Sequence, residues 1–256
     1  MNIVKIKGIE LGKGSPKICV PVTGRTKEEI RLRLEELQKA EPDLAEWRAD
    51  WYEGVFDREK LEDELAFLRR ELGNMPLLVT FRTKEEGGEQ EISREAYEKF
   101  LRQVISSGHA DLIDVELFRG EELLAEICRE AHQAGVKAVA SSHDFNGTPE
   151  KEEMIRRLCR MQECGADLLK LAVMPQSPGD VLELLSATWE MKERYAEQPL
   201  ITMSMGGTGL VSRLAGEIFG SALTFGSAGA ASAPGQIGVG ELKAALALFH
   251  ENRVSA

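Results

Sequence analysis

The chain has 256 residues, of which 43% are hydrophobic and 29% are charged, so it can bury a core and does not have the composition of a disordered or fibrous protein. Its formal net charge of −11 argues against nucleic acid or an anionic membrane as a partner, because both bind basic surfaces. The sequence has no run of about 18 apolar residues, and its first residues lack a signal-peptide pattern. We therefore expect a cytoplasmic protein without a membrane span.

Short runs rich in Val, Ile, Leu and Phe recur along the chain and predict eight β-strands. They cover residues 17–22, 44–50, 77–82, 112–117, 138–143, 168–173, 200–205 and 222–227. The longer amphipathic stretches between them predict helices, several of which end at a glycine. These stretches cover residues 26–40, 58–72, 94–107, 121–134, 150–164 and 178–195.

This alternation of strands and helices predicts an α/β fold with a parallel sheet, and a length of about 250 residues matches a (β/α)8 TIM barrel. An open, doubly wound sheet is the alternative, but the turn after the first strand lacks its glycine-rich dinucleotide pattern. Residues 1–16 precede the first strand, and their alternating polarity predicts a β-hairpin that closes the bottom of the barrel. We expect residues 1–256 to form one domain.

Several predicted strands have one apolar face and one face that carries charged side chains. Because successive side chains of a strand point to opposite sides, the charged face would line the barrel interior. This set comprises Glu46, Arg48, Asp50, Arg82, Asp114, Glu116, His143 and Lys170. A structural ion-pair network is the favoured role for Asp50, Asp114 and Glu116 individually. The set as a whole predicts an active site, because barrel enzymes place their chemistry at the C-terminal ends of the strands.

Lys170 lies in the middle of the sixth predicted strand, between leucines, so we expect its amine to be buried. Burial and nearby arginines would disfavour the ammonium form and leave an amine that can attack a carbonyl. His143 lies one strand away and can exchange protons near neutral pH. Glu86 follows the third strand on a glycine-rich loop and could orient the imidazole, although a glutamate in a loop is usually just solvated.

Two loops after the last strands also have compositions that suit ligand binding. Residues 206–209, in Gly-Gly-Thr-Gly, could bind phosphate or simply form a turn before a helix. Residues 226–238 are small and flexible, which predicts a lid. The first loop makes a class I aldolase acting on a sugar phosphate an alternative function. A non-catalytic barrel that binds a polyhydroxy acid is a second alternative, although a pure binding protein has no need for a buried lysine beside a histidine. The four cysteines and four histidines show no ligand spacing, so we expect free thiols and no metal site.

Eight segments in order along the chain resemble the type I 3-dehydroquinate dehydratases. They are residues 46–50, 80–90, 113–118, 141–145, 170–176, 202–205, 212–216 and 231–236. The resemblance covers essentially the whole chain and implies a barrel enzyme, usually a homodimer, that acts without metal or cofactor. Such an enzyme is a lyase of the shikimate pathway that reversibly dehydrates 3-dehydroquinate to 3-dehydroshikimate.

The resemblance also implies the roles of individual residues. Lys170 would form a Schiff base with the substrate, His143 would be the general acid and base, and Glu86 would orient it. The substrate would be bound by Glu46, Trp47, Arg48, Arg82, Met203, Met205, Arg213, Ser232 and Gln236. Two positions depart from the pattern. Pro21 stands where many relatives have serine, and Ser142 replaces a larger residue before the histidine.

Overall fold

Parallel strands surrounded by helices make up most of the structure, a computed structural model that describes residues 1–229 and 235–254. The strands are β1 Val4–Ile6, β2 Ile9–Leu11, β3 Lys17–Val22, β4 Leu44–Arg48, β5 Leu77–Thr80, β6 Leu112–Glu116, β7 Lys137–Asp144, β8 Leu168–Val173, β9 Leu200–Ser204, β10 Leu223–Ser227 and β11 Ile237–Gly238. The helices are α1 Lys27–Ala40, α2 Arg58–Leu72, α3 Arg94–Ser107, α4 Glu121–Gln133, α5 Lys151–Glu163, α6 Pro178–Arg194, α7 Leu210–Leu214, α8 Gly216–Phe219 and α9 Val239–Val254.

Strands β3 to β9 pair in chain order, every pair is parallel, and β10 pairs with β3 on the other side. The circle closes next to β9, where Leu200 and Ser221 form a bridge and the N–H of Ala222 donates to the carbonyl of Leu200 at 2.7 Å. The short strand β11 pairs with β10. The predicted (β/α)8 TIM barrel is therefore confirmed.

The helices begin and end close to the predicted residues because their boundaries depend on local sequence. The hydroxyl of Thr26 accepts a hydrogen bond from the N–H of Glu29 at 3.3 Å and starts α1, and α2 ends at Gly73, which has a φ of 55°. Helices α7, α8 and α9 were not predicted, since the first two are very short and the apolar residues of α9 do not form one stripe. No helix in residues 1–229 or 235–254 is long and apolar enough to cross a membrane.

The N-terminal hairpin closes one end of the barrel, as predicted. Strands β1 and β2 are antiparallel and form a separate sheet. The side chains of Val4, Ile6 and Leu11 are buried together with interior leucines such as Leu44 and Leu112, which stand at the N-terminal ends of barrel strands. This apolar contact excludes water from that end, so the interior is reached from the C-terminal ends of the strands.

From the hairpin end of the barrel toward the C-terminal ends of the strands, an apolar layer of interior side chains is followed directly by a mostly charged layer. Alternate strands of such a barrel each contribute one side chain to a layer. Near the hairpin, strands β4, β6, β8 and β10 contribute Leu44, Leu112, Leu168 and Leu223. Two residues further along, the same strands contribute Glu46, Asp114, Lys170 and Phe225, which we call the Lys170 layer. Because every second side chain of a strand faces the interior, the charged groups of the Lys170 layer lie directly next to this apolar leucine layer.

One buried carboxyl group lies outside the barrel interior. Glu64 of α2 is 1% exposed, and neither of its carboxylate oxygens has a hydrogen-bond partner among the described residues. Burial raises the pKa of Glu64 from 4.5 to about 7, and the positive charge of Lys27 offsets only part of this effect. Because the proton is bound more tightly in the folded state, folding is favoured below pH 4.5 and this contribution is lost as pH rises through about 7.

We expect Glu64→Gln to stabilise the protein at pH 8 by about 1–3 kcal/mol, because a neutral amide replaces a buried charge without a partner. At pH 5, where Glu64 of the folded protein is mostly protonated, this gain in stability should shrink to less than about 1 kcal/mol. Urea denaturation at the two pH values measures this difference. Glu62→Gln, at an exposed position of the same helix, is the control and should not reproduce it. Equal stability changes at both pH values would contradict the prediction.

Candidate active site

A cavity of about 180 Å³ opens at the C-terminal ends of the barrel strands. The predicted site residues that line it are Glu46, Arg48, Arg82, Glu86, His143, Lys170, Met203, Met205, Arg213 and Gln236. They come from most of the barrel strands and from the loops that follow them. The structure therefore brings together nearly all the residues that the sequence analysis proposed for the site.

Two predicted site residues are not placed at the cavity. Trp47 is fully buried in the core between strands and helices, with its ring centroid 6.0 Å from that of Tyr52. Because side chains alternate along β4, Glu46 and Arg48 face the interior and Trp47 faces the helices. The assignment of Trp47 to substrate binding is therefore corrected. Ser232 lies outside the described residues, as do its neighbours 230–234 in the predicted lid.

The amine of Lys170 is buried and contacts two carboxylates. The side chain is 5% exposed, and Nζ lies 3.4 Å from Oε1 of Glu46 and 3.6 Å from Oδ2 of Asp114. From the sequence, arginines are the charges expected to act on this amine. The structure instead places the amine in an ion-pair arrangement, so its proton has carboxylate acceptors within a short distance.

Two of the arginines at the cavity, Arg82 and Arg48, are themselves bound by carboxylates. Arg82 is 3% exposed, and its guanidinium lies 2.9 Å from Oδ1 of Asp114 and 2.8 Å from Oε1 of Glu116. Arg48 makes two hydrogen bonds of 2.8 Å to the carboxylate of Asp50. Each of these three acids fixes a guanidinium group at the cavity, which agrees with the structural role predicted for them, and Asp114 also contacts the amine of Lys170. Burial alone would raise the pKa of Asp114, but Arg82 and Lys170 outweigh it and hold that pKa below its usual value.

His143 and Glu86 form a buried pair at the cavity wall. Oε2 of Glu86 accepts a hydrogen bond from the backbone N–H of His143 at 2.9 Å and lies 3.0 Å from Nδ1 of its ring. Burial, followed by the positive charges of Arg82, Lys170 and Arg48, lowers the pKa of His143 well below its usual value. The imidazole is therefore neutral near pH 7, as a proton acceptor must be.

The pKa of Glu86, the second member of the pair, is shifted in the opposite direction to that of His143. Burial, followed by the negative charge of Glu116, raises the pKa of Glu86 to about 8. When Glu86 is ionised it accepts a hydrogen bond from Nδ1–H, which leaves Nε2 of His143 as a base. When Glu86 is protonated it donates to Nδ1, and Nε2 then carries the proton. The pair can thus present either a base or an acid through the same ring nitrogen.

Arg213 places a buried positive charge beside an apolar wall. It is 2% exposed, it lines the cavity, and its Nη1 lies 3.7 Å from Sδ of Met203. Burial lowers the pKa of Arg213 to about 10, so the group remains a cation at neutral pH. A cation next to Met203 and Met205 suits a ligand that has an anionic group attached to an apolar ring face.

The glycine-rich loop after β9 lets the backbone turn tightly from the strand into the next helix. Residues 206–209 turn into α7, which carries Arg213. A Cβ atom added to Gly209 would lie 2.1 Å from the carbonyl oxygen of Ser204, so a glycine is required there by close approach. Of the two interpretations of this loop, the structure favours the turn, and the main argument for a sugar-phosphate substrate is weakened.

Some cavity residues were missed by the sequence analysis. Phe225 and Phe145 both line the cavity, and so do Ala172 and Gly87. Strand parity could have identified Phe225, because it shares the interior face of β10 with Leu223. The signal for Phe145 is its position two residues after His143. Its ring packs on Gly87, where an added Cβ atom would lie 2.3 Å from a ring carbon.

The chain is similar to known proteins both in sequence and in structure. A model of the family described as Type I 3-dehydroquinase matches residues 18–253. The 3-dehydroquinate dehydratase of Syntrophotalea carbinolica is 52% identical over 250 residues, which cover 98% of this chain and 99% of the relative. The enzyme of the same name from Clostridium botulinum is 53% identical over 251 residues, with the same coverage of 98% and 99%.

Two solved structures are similar over almost their whole length. The crystal structure of type I 3-dehydroquinate dehydratase from Clostridium difficile, with covalently modified comenic acid, has a TM-score of 0.94 and 51% identity and covers 98% of both chains. The structure of 3-dehydroquinate dehydratase from Geobacillus kaustophilus has a TM-score of 0.94 and 39% identity, covering 98% of this chain and 97% of the other. Sequence and structure thus indicate the same family.

Proposed function

The chain belongs to the type I 3-dehydroquinase family and is a 3-dehydroquinate dehydratase, a lyase of the shikimate pathway, and on this premise we propose that it works through a Schiff base on Lys170. The observation that carries the proposal is the position of Nζ. It is buried at the cavity, with carboxylates at 3.4 and 3.6 Å as proton acceptors, and the His143–Glu86 pair lines the same cavity. One nucleophile and one proton-transfer pair are what an imine-based dehydration requires.

In the proposed complex, the substrate carboxylate binds to the buried cation of Arg213. Met203 and Met205 contact the apolar face of the ring. The hydroxyl groups and the polar edge of the substrate bind to Glu46, Arg48 and Arg82, with Gln236 and Ser232 completing the site. Because Asp50 already fixes Arg48 and the pair of Asp114 and Glu116 fixes Arg82, these donors are positioned before the substrate arrives.

In the first chemical step, Nζ of Lys170 forms a bond to C3 of 3-dehydroquinate. The ammonium group loses a proton to a contacting carboxylate, Glu46 or Asp114, and attacks the ketone. Proton transfer to the resulting hydroxyl, assisted by His143, lets the ketone oxygen leave as water. An ammonium ion and a ketone are thus converted into a protonated imine and water, with the positive charge conserved.

In the second step, the protonated imine accepts the electrons of the C2–H bond. Nε2 of His143, in the base form that ionised Glu86 supports, removes the C2 proton. The resulting enamine expels the C1 hydroxyl, which takes the proton held by His143 and leaves as water. Hydrolysis of the product imine then releases 3-dehydroshikimate and restores Lys170, and each of these steps is reversible.

Borohydride reduction tests this proposal directly. When borohydride is added with 3-dehydroquinate, the intact mass of the protein should increase by that of one reduced ligand, and peptide mapping should find the ligand on Lys170. Activity should be lost in parallel with the mass change. Controls without 3-dehydroquinate or without borohydride should keep the parent mass. A protein that remains active after this treatment, or that carries the ligand on another residue, would contradict the Schiff base.

We also propose, from the family resemblance, that residues 1–256 act as one domain in a cytoplasmic homodimer. Sedimentation equilibrium of the full chain tests the assembly, since the monomer has a mass of 28.3 kDa. A dimer would have about twice this mass, and a monomer at the working concentration of the enzyme would exclude the homodimer. Fractionation of cells that produce the protein would test its location. Activity found outside the cytoplasmic fraction would contradict the proposed cytoplasmic location.

A further inference from the structure

The ring of Phe225 forms part of the surroundings of the reacting nitrogen. Nζ of Lys170 lies 4.4 Å from the centroid of this ring, well inside the distance of about 6 Å at which an aromatic face attracts a cation. Phe225 is 4% exposed and lines the cavity. The contact is therefore shielded from water, which strengthens the attraction between a cation and an aromatic face.

The architecture of the barrel explains this contact. Glu46, Asp114, Lys170 and Phe225 are the members of the Lys170 layer and come from the alternate strands β4, β6, β8 and β10. Nζ contacts each of the other three side chains. The cation is thus surrounded by two carboxylates and by the electron-rich face of an aromatic ring, which carries partial negative charge.

We propose that Phe225 is a catalytic residue whose ring stabilises the protonated form of the imine on Lys170. The inference rests on the proposed function, because it concerns the imine formed there. In the proposed sequence the nitrogen is first an ammonium ion, becomes a neutral amine when it attacks the ketone, and is a cation again in the protonated imine, which the ring attracts. A neutral imine gains nothing from the ring.

The charge on the imine matters because it drives the elimination. Only the protonated imine withdraws electrons from the C2–H bond strongly enough for a neutral imidazole such as His143 to remove the proton. The contacting carboxylates can take up the imine proton, whereas the ring attracts the cation and has no site that accepts this proton. The ring therefore stabilises the reactive form without competing for its proton.

Fluorinated phenylalanines at position 225 test this role, because each fluorine weakens the negative face of the ring with little change in size. In the series from phenylalanine through mono-, di- and trifluorophenylalanine, the logarithm of kcat should fall in proportion to the loss of cation-binding strength. We expect kcat to decrease by about 2- to 30-fold over the whole series, which is the factor that corresponds to the loss of a cation–π interaction. KM should change little, and the isotope effect of C2-deuterated substrate should increase along the series.

Phe100 provides the matched control. It is a buried phenylalanine of α3 whose ring lies 5.5 Å from that of Phe81, in the core between strands and helices. The same fluorinated series at position 100 should leave kcat and the isotope effect unchanged. Phe225→Leu, which keeps an apolar side chain without an aromatic face, should lower kcat by a similar factor to the trifluorinated ring.

Two results would overturn the inference. One is a constant kcat across the fluorinated series at position 225, and the other is an equal decrease in the series at position 100. Borohydride labelling of the parent enzyme separates this failure from that of the proposed function. If Lys170 is labelled and the series has no effect, only the role of Phe225 is wrong. If Lys170 is not labelled, the Schiff base itself is wrong.

Discussion

Replacing Lys170 by alanine should lower kcat for 3-dehydroquinate by more than about 10⁴-fold, the scale expected when a covalent nucleophile is removed. The variant lacks the amine that binds C3, and no other described lysine lines the cavity. Borohydride with 3-dehydroquinate should leave its mass unchanged. Steady-state absorbance of the enone product measures turnover, and intact-protein mass spectrometry measures labelling.

The structure also predicts a cost in stability for this variant. Without the ammonium group, Glu46 and Asp114 lose a shared cation, and breaking a buried ion pair costs about 3–5 kcal/mol. Thermal unfolding must therefore show that the variant is folded at the assay temperature. Lys137→Ala is the matched control, because Lys137 lies on the neighbouring strand β7, is partly exposed and pairs with Asp167. It should retain normal turnover. If Lys170→Ala also retains normal turnover, the Schiff-base mechanism is excluded.

The second large effect is expected for His143→Ala. Its kcat should fall by at least ~10²-fold, the usual contribution of general acid and base catalysis, because the Nε2 position that takes the C2 proton is missing. The amine of Lys170 and its carboxylate contacts remain in place, so borohydride should still attach the ligand to Lys170. Labelling together with a low rate would place His143 after the initial attack on the ketone.

His132→Ala is the control for this experiment. His132 is a half-exposed histidine of α4 that pairs with Asp167 at 2.7 Å, remote from the cavity lining. Its replacement should leave kcat unchanged within the error of the assay. Near-normal turnover of His143→Ala would remove His143 from the role of acid and base. The His143–Glu86 pair would then have to be regarded as a structural contact.

The barrel was predictable because its signals are local. The eight strands and six of the helices follow from the spacing of apolar residues and from glycines at helix ends. The bounds of β3 and β8 and those of α2 and α3 match the structure at both ends. Helices α7 and α8 are too short to show such periodicity, and the apolar residues of α9 do not form one stripe, which is why these three helices were missed.

The sequence predicted which residues form the active site more fully than it predicted the contacts between them. Strand parity correctly placed Glu46, Arg82 and Lys170 on the interior face. The same parity excludes Trp47, which the family resemblance had suggested as a substrate contact. Of the two carboxylates beside Nζ, Asp114 is predicted to join an ion-pair network and Glu46 to bind substrate. Nothing in the sequence indicates that Asp114 contacts both Arg82 and Lys170.

The sequence by itself determined the eight barrel strands and six of the helices, the inward face of several strands, and the family. Only the tertiary structure decided that Nζ is surrounded by two carboxylates and an aromatic ring instead of arginines. The physical reason is that these contacts join strands β4, β6, β8 and β10, which are far apart in the chain. They depend on the stagger of the strands around the closed barrel and on side-chain rotamers, and neither is encoded in the spacing of neighbouring residues.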